Sequence, residues 1–469
     1  MDLIRETARS LVGHLRAEEV TPADLIDALE ARIAAVEPAL NALPTLCLDR
    51  AREAAAEMMT RPVEARGVLA GLPVPIKDLS AVAGVRTTWG SPIYADCVPE
   101  TSDHIVERIE ERGGIVYAKS NTPEFGAGAS TFNPVFGPTA NPWNTARSPA
   151  GSSGGAAAAL ASGMAWLAHG SDMGGSLRNP ASFCGIAGMR PSPGRVPGGP
   201  SADPFGTLSA QGPMARNIGD LGLFLDAMAG PHPREPVSQD GNTGFREAAE
   251  SPRVPGRVAF SPDLGITPVD PEVAAICAAA ARRFESLGAT VEEAHPDLSG
   301  TMECFHVLRG ASFATAHARH IAEHRDLLKP DVVWNVEYGQ TVTGADIARA
   351  NAIRTRIVAE MGRFFETYDV LLCPTTIVPP FGVNDRTVTA CNGVQFETYI
   401  DWLAIVSAFT LAGVPALSLP CGVTADGLPV GLQVVGPFRG EARILSAAAA
   451  LEAELGLDTG PIDPRGPAA

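Results

Sequence analysis

The chain has 469 residues, 45% hydrophobic and 19% charged, a globular composition longer than the ~250 to 300 residues at which one core usually stops growing. Its formal charge of −17, with no Lys/Arg-rich run to offset it, would repel a phosphate backbone, so nucleic acid is not an expected partner. The N-terminus MDLIRETARSLVGHLRAEEV has no apolar signal core, and no apolar stretch reaches the ~18 residues of a membrane span, so a cytoplasmic protein without membrane contact is expected.

In chain order, Thr21-Pro22-Ala23-Asp24 reads as an N-cap, a proline at the first helical position and an acid in the capping-box place, opening an amphipathic helix. Residues 1–65 are expected to be a helical segment packed on the core, and 66–469 one α/β folding unit. GLPVPIKDLS near residue 70 and GIVYAKSN after Gly113 and Gly114 read as buried strands. Between Ala140 and Pro200, Gly, Ser and Pro crowd around AAAALASGMAWLA, which predicts a helix of about three turns bracketed by two serine-glycine loops. The polar, proline-rich stretch from Pro231 reads as an exposed connection. PEVAAICAAAARRFESLG then predicts an amphipathic helix leading into ATVEEAH, and YDVLLCPT and LAGVPALSLPCG read as buried strands. Helices alternating with buried strands indicate an α/β protein. The eight cysteines form no CxxC pair, which argues against a zinc knuckle or a disulfide scaffold and predicts reduced, buried thiols.

A serine hydroxyl is a weak nucleophile until a base takes its proton. Glycine-serine loops are ordinarily turns and a lysine is ordinarily on the surface. Here, however, two such loops occur in order behind Lys77, and Val74, Ile76 and Leu79 place that lysine in an apolar setting where burial favours the neutral amine. GSSGG also fits G-x-S-x-G with Ser153 as nucleophile, but that arrangement wants a late histidine. The last histidine is His324, and the final 145 residues (469 minus 324) contain none. His317, His320 and His324, spaced three and four apart, share a helical face that reads as a metal site or, more plainly, as a partly exposed polar face. RPSPGRVPGGP could bind a partner module, though proline in loops usually stiffens connections.

The stretch SPAGSSGGAAAALASGMAWLAHGSDMGGSLRNPASFCG resembles the amidase signature family. GLPVPIKDL upstream, then GPMAR at 212–216, YDVLLCPT and GLPVGLQVVGP downstream, resemble further blocks of that family in the expected order, so the match spans roughly the whole chain. The resemblance implies a large α/β/α sandwich around a mixed twisted sheet. It implies Lys77 as base, Ser152 as relay serine preceded by a cis peptide bond, and Ser176 as nucleophile. The backbone amides of Met173, Gly174, Gly175 and Ser176 would form a nest for the oxyanion. Ser153, Asp172 and Arg178 would be the supporting residues, and Gly126, Ala127 and Gly128 would line the substrate pocket. Two departures stand out: Ala150 where many members have glycine, and Ser171-Asp172-Met173 in place of Thr-Asp-Thr. The implied activity is hydrolysis of the C–N bond of small aryl or alkyl amides, extending to carbamates (urethanes) and esters, by a monomer or homodimer needing no cofactor and no metal. The alternative within the family is one component chain of an amidotransferase.

Overall fold

The structure, a computed structural model, describes residues 1–240 and 244–466, so Gly241, Asn242 and Thr243 of the Pro231 segment lie outside the described residues. Thr21 opens the helix Pro22–Leu40 with the predicted capping box: Asp24 N–H donates to Thr21 Oγ1, and Thr21 N–H donates to Asp24 Oδ2. The preceding helix, Ala8–Arg16, is capped from a distance, since the N–H groups of Ala8 and Arg9 donate to the buried carboxylate of Asp220 at 2.9 and 3.0 Å. Apolar faces of these first helices join the same hydrophobic cluster that runs on to Leu451.

Two sheets position the site. A small one orders β1 (Thr45–Leu46), β3 (Ile115–Ser120) and β2 (Pro73–Lys77), with β2 and β3 parallel. All residues of β2 and β3 are buried, as their apolar runs predict. The large sheet has eight strands: β4 (Leu167–Asp172), β5 (Ala187–Arg190), β6 (Ala210–Ala215), β7 (Arg257–Phe260), β8 (Thr290–Glu293), β9 (Val370–Pro374), β10 (Ala416–Val423) and β11 (Pro429–Val435). Their spatial order is β8-β7-β9-β11-β10-β5-β6-β4. The β8-β7-β9 end is parallel and the remainder antiparallel, which makes the sheet mixed. The predicted helix Pro271–Ser286 is the crossover between β7 and β8.

β4 is an edge strand of the large sheet, and β2 packs against it, which covers an edge that would otherwise be open. Lys77 and Asp172 end these two strands, so the loops that follow them meet.

The alanine-rich helix is shorter than its composition predicts. It covers Gly154–Ala161, Gly163 takes φ +79° immediately after it, and Leu167–Asp172 leaves the helical register to pair with β6. Strand pairing outweighs the helix propensity of MAWLA. All eight residues of the helix are buried, which an apolar surface on every side requires. Gly155 fixes its docking: an added Cβ would lie 2.3 Å from Asn121 N and 2.6 Å from Ala42 O, both backbone atoms. All eight cysteines are free, six of them buried. Among the described residues no helix is long and apolar enough to cross a membrane.

Because backbone cannot move aside as a side-chain tip can, Gly155→Ala should destabilise the protein by about 1–3 kcal/mol or more. The expected observation is a lower urea midpoint; an unchanged midpoint would show that this contact does not hold the helix.

Candidate active site

Lys77 is fully buried at the end of β2. Its Nζ lies 2.7 Å from Ser152 Oγ, 2.8 Å from Ser153 Oγ, 3.2 Å from Ser171 Oγ and 3.4 Å from Ser171 O. No carboxylate stands within ion-pair distance of it among the described residues, and burial pushes the ammonium down to about 7 against the opposing pull of Asp172. The backbone also pins this strand end, because Lys77 N–H donates to His169 Nδ1 at 3.3 Å. Burial pushes His169 down to about 3, so the imidazole is neutral, Nδ1 is its acceptor, and Nε2–H donates to Gln211 Oε1 at 2.9 Å.

Ser152 and Ser153 lead into the helix Gly154–Ala161, and the Gly151–Ser152 peptide bond is cis. Ala150 has φ +58°, in the left-handed region that favours glycine. Thr131 Oγ1 fixes the turn by donating to Ala150 O at 2.8 Å and accepting from Gly154 N–H at 3.1 Å. Ser153 N–H donates to Ser176 O at 3.1 Å, tying the first serine loop to the second.

The second loop is organised by Asp172. Its carboxylate accepts from Gly175 N–H at 2.9 Å, Leu177 N–H at 3.1 Å, and Arg178 Nε and Nη2 at 3.0 and 2.9 Å. Burial alone would raise this carboxyl, but the Arg178 and Arg190 guanidiniums and the Leu177 amide hold it well below the usual carboxylate range. The four amides expected to form the oxyanion nest are not equivalent, since that of Gly175 is engaged by Asp172 Oδ1. Among the described residues the amides of Met173, Gly174 and Ser176 have no protein acceptor. Gly175 serves the turn itself, with φ +88° and an absent Cβ whose place is closed by Asn179 and Val406 at 2.6 and 2.7 Å.

The serines differ in access. Ser153 is fully buried and Ser152 is 2% exposed, whereas Ser176 is half-buried. Ser153 Oγ is held between Lys77 and Ser171, with no histidine bonded to it, which removes the geometric basis of a Ser153 elbow. The bonds of Lys77 Nζ stop at Ser152, Ser153 and Ser171 and do not include Ser176.

The segment 126–128 lies beside these loops. A Cβ on Gly126 would stand 3.5 Å from Ser152 Oγ, while one on Gly128 would meet Lys329 Nζ at 3.6 Å and the Tyr399 ring at 3.9 Å. Ala127 is buried in a small apolar cluster with Phe313, Leu328, Val332 and Val336, against which Met173 and Phe125 pack. Arg309, Lys329, Asn335 and Tyr399 therefore border the site, although no motif in their sequence surroundings signals it. A cleft of about 450 Å³ bordered by Met173, Gln211 and Leu308 opens alongside.

The three histidines do not form a metal site. His317 and His320 face each other through Nδ1 at 3.1 Å and pack their rings on Phe125, while His320 Nε2 meets Tyr94 OH at 2.7 Å. His324 lies apart, 3.9 Å from Glu323. The pair buttresses the residue just before Gly126. Among the described residues His104, His232 and Glu235 are close enough together for a metal ion, at the rim of the cleft. Glu235 is already engaged there by the N–H groups of Gly198 and Gly199 and by His104 Nδ1.

The assembled site offers a buried amine near its neutral form, two adjoining hydroxyls, a more exposed third hydroxyl, free amides next to it and a floor of small residues. Known proteins are similar to this chain over nearly its whole length. Residues 24–445 match the Amidase family. An acylamidase of Rhodococcus erythropolis is 35% identical over 464 residues, covering 95% of each chain. A glutamyl-tRNA(Gln) amidotransferase chain of Moorella thermoacetica is 34% identical, covering 96% of this chain and 97% of that one. The crystal structure of a bacterial aryl acylamidase superposes with a TM-score of 0.88 at 28% identity over 96% of both chains. The chain belongs to the amidase signature family, and the α/β/α arrangement around its mixed sheet is the fold of that family.

Proposed function

We propose that the protein is an acylamidase that hydrolyses small amides through an acyl-enzyme, with Ser176 as nucleophile, Ser152 as relay and Lys77 as base. The observation that carries this reading is the fully buried Lys77 Nζ, 2.7 Å from Ser152 Oγ and lacking a carboxylate partner. Neutral Lys77 accepts the Ser152 proton as Ser152 accepts that of Ser176, and Ser176 Oγ forms a bond to the amide carbonyl carbon. For this step Ser176 Oγ must come within hydrogen-bond reach of Ser152 Oγ, and such bonds commonly tighten only when substrate binds. The oxyanion is met by the free amides of Met173, Gly174 and Ser176. As the C–N bond breaks, the proton returns through Ser152 to the leaving amine. Water then attacks the acyl-enzyme by the same relay, releasing the acid and restoring Ser176. Ser153 orients the lysine, and Asp172 with Arg178 holds the loop.

A carbamate presents the same planar N–C=O group and an ester an easier leaving group, so the relay extends to both. The acylamidase relative at 35% identity favours stand-alone hydrolysis. The similarity to amidotransferase chains supplies the second reading, in which turnover needs companion chains.

On a panel of one anilide, one aryl carbamate and one aryl ester, the isolated wild-type chain should release amine or phenol unaided. Ser176→Ala should lower kcat/KM by on the order of 10⁴ or more and Lys77→Ala by roughly 10² to 10⁴. Ser153→Ala should keep a measurable rate. An inert wild-type chain would support the amidotransferase reading, and an active Ser176→Ala with a dead Ser153→Ala would replace the nucleophile.

The pH dependence follows from the same lysine. The amine works as a base only when neutral, and its value is about 7, so log kcat/KM should rise with pH below that value and level off above it. Lys77→Arg, which cannot deprotonate, should be inactive across the range. A profile flat from pH 5 to 9 would remove Lys77 as the base.

A further inference from the structure

Six arginines are buried among the described residues: Arg66, Arg178, Arg190, Arg195, Arg216 and Arg309. The first four pair with the carboxylates of Glu18, Asp172, Asp172 and Glu441. Arg216 has no carboxylate but donates to three backbone carbonyls, those of Ala165, Ile4 and Glu6. Arg309, 5% exposed, has neither solution. Its bonds go to Asn335 Oδ1 at 3.2 Å, to the Tyr399 hydroxyl at 3.0 Å and to the Met173 thioether at 3.3 Å. A guanidinium has five N–H donors, so two remain unanswered, and its charge meets only the face of the Phe313 ring, 4.3 Å away, with no carboxylate partner among the described residues. Burying a cation without a partner is costly unless a ligand supplies one. Asn335 and Tyr399 hold the fork in place, since Asn335 Nδ2 also donates to the Tyr399 hydroxyl.

Arg309 lies next to the loop that carries Ser176. Met173, which it touches, lies three residues before Ser176, and the Tyr399 ring lies over Gly128. The backbone from Gly128 to Gly126 leads from there to Ser152 Oγ. The neighbouring Lys329 adds positive charge but is already partnered by Asp331 at 3.3 Å.

We propose that Arg309, oriented by Tyr399 and Asn335, is the receptor for a carboxylate carried on the acyl part of the substrate, so that the preferred substrates are monoamides of short dicarboxylic acids. This specificity rests on the acylamidase reading for its turnover, but its binding component can be read without turnover. The test compares N-succinyl, N-glutaryl and N-butyryl 4-nitroanilides, which differ in the charge at the acyl end, and N-acetyl-4-aminobenzoate, which carries it on the amine side. In the wild type the better of the two charged anilides should exceed the butyryl compound in kcat/KM by at least ~10-fold. Arg309→Met should collapse that ratio to about 1, and Arg309→Lys should give an intermediate ratio. Butyryl preference in the wild type, a ratio that survives Arg309→Met, or an Arg309 dependence confined to the aminobenzoate would each overturn the proposal. Should Arg309→Met fail to fold, Tyr399→Phe takes its place, with a ratio reduced at least ~3-fold expected and an unchanged one counting against. If the wild type cleaves no anilide, the acylamidase reading fails on its own. The receptor is then judged by glutarate, which should raise the melting temperature of the wild type and not of Arg309→Met; no rise in the wild type overturns it.

Discussion

Lys77 Nζ is enclosed by hydroxyls and one carbonyl oxygen, so its ionised form loses hydration without gaining a counter-charge. The adjacent strand shows how unusual that is. Lys119, on β3, is equally buried, yet it stands 3.3 Å from Asp78 and donates to Ser80 O and Thr87 Oγ1. Two lysines on paired parallel strands thus meet different environments: burial pushes both down, but Asp78 opposes that shift at Lys119, whereas no carboxylate stands within ion-pair distance of Lys77 among the described residues. A carboxylate placed beside Lys77 would restore the ammonium and remove a base from the site.

The nearest candidate for that carboxylate is Asp172, and the structure directs it elsewhere. Arg178 and Arg190 neutralise it while Gly175 and Leu177 N–H groups occupy its oxygens. The same bonds bend the chain after β4 so that Gly175 turns inward and the amides of Met173, Gly174 and Ser176 are left open. One buried charge cluster therefore shapes the loop and keeps its negative charge from the lysine. Removing one partner of such a cluster costs about 3–5 kcal/mol, so its arrangement is strongly determined.

What the sequence discloses follows from how local each feature is. The two serine loops, Lys77 in an apolar strand and the Thr21 cap are encoded within a few residues, and the structure brings Lys77, Ser152 and Ser153 into one hydrogen-bonded group with Ser171. Ser171 reads in sequence only as a departure from a pattern, because nothing in its neighbours shows that β4 ends against β2. The run of amides 173–176 looks uniform in sequence, and only the folded position of Asp172 distinguishes Gly175 from the rest. MAWLA carries helix propensity, and pairing with a strand more than forty residues later decides otherwise. His317, His320 and His324 share a face by spacing, but a ring from residue 125 occupies that face. Arg309, Asn335 and Tyr399 are invisible in sequence for the same reason: their relation to Met173 exists only after chain segments apart in sequence, 26 to 136 residues by the bonds that join them, have packed together.

That separation has a mechanical basis. Of the groups proposed for the chemistry, Lys77 ends a buried strand, Ser152 leads into a helix locked by backbone contact at Gly155, and Ser176 lies on the loop tied to that helix start by Ser153 N–H, so that a displacement of one group must move others. The residues beside segment 126–128 come from the helices Thr301–His324 and Pro330–Thr341 and from Tyr399, around the much smaller cluster of Ala127, Phe313, Leu328, Val332 and Val336. A small cluster can be repacked without disturbing a sheet, so the pocket can change shape and charge while the lysine and the serines keep their distances. A guanidinium without a carboxylate partner is tolerable in that wall because Asn335, Tyr399, the Met173 thioether and the Phe313 ring share its desolvation. Selectivity by charge and reactivity by a neutral lysine can then coexist in one site, provided that the cation in the wall is answered by the substrate and the cation in the core has already lost its proton.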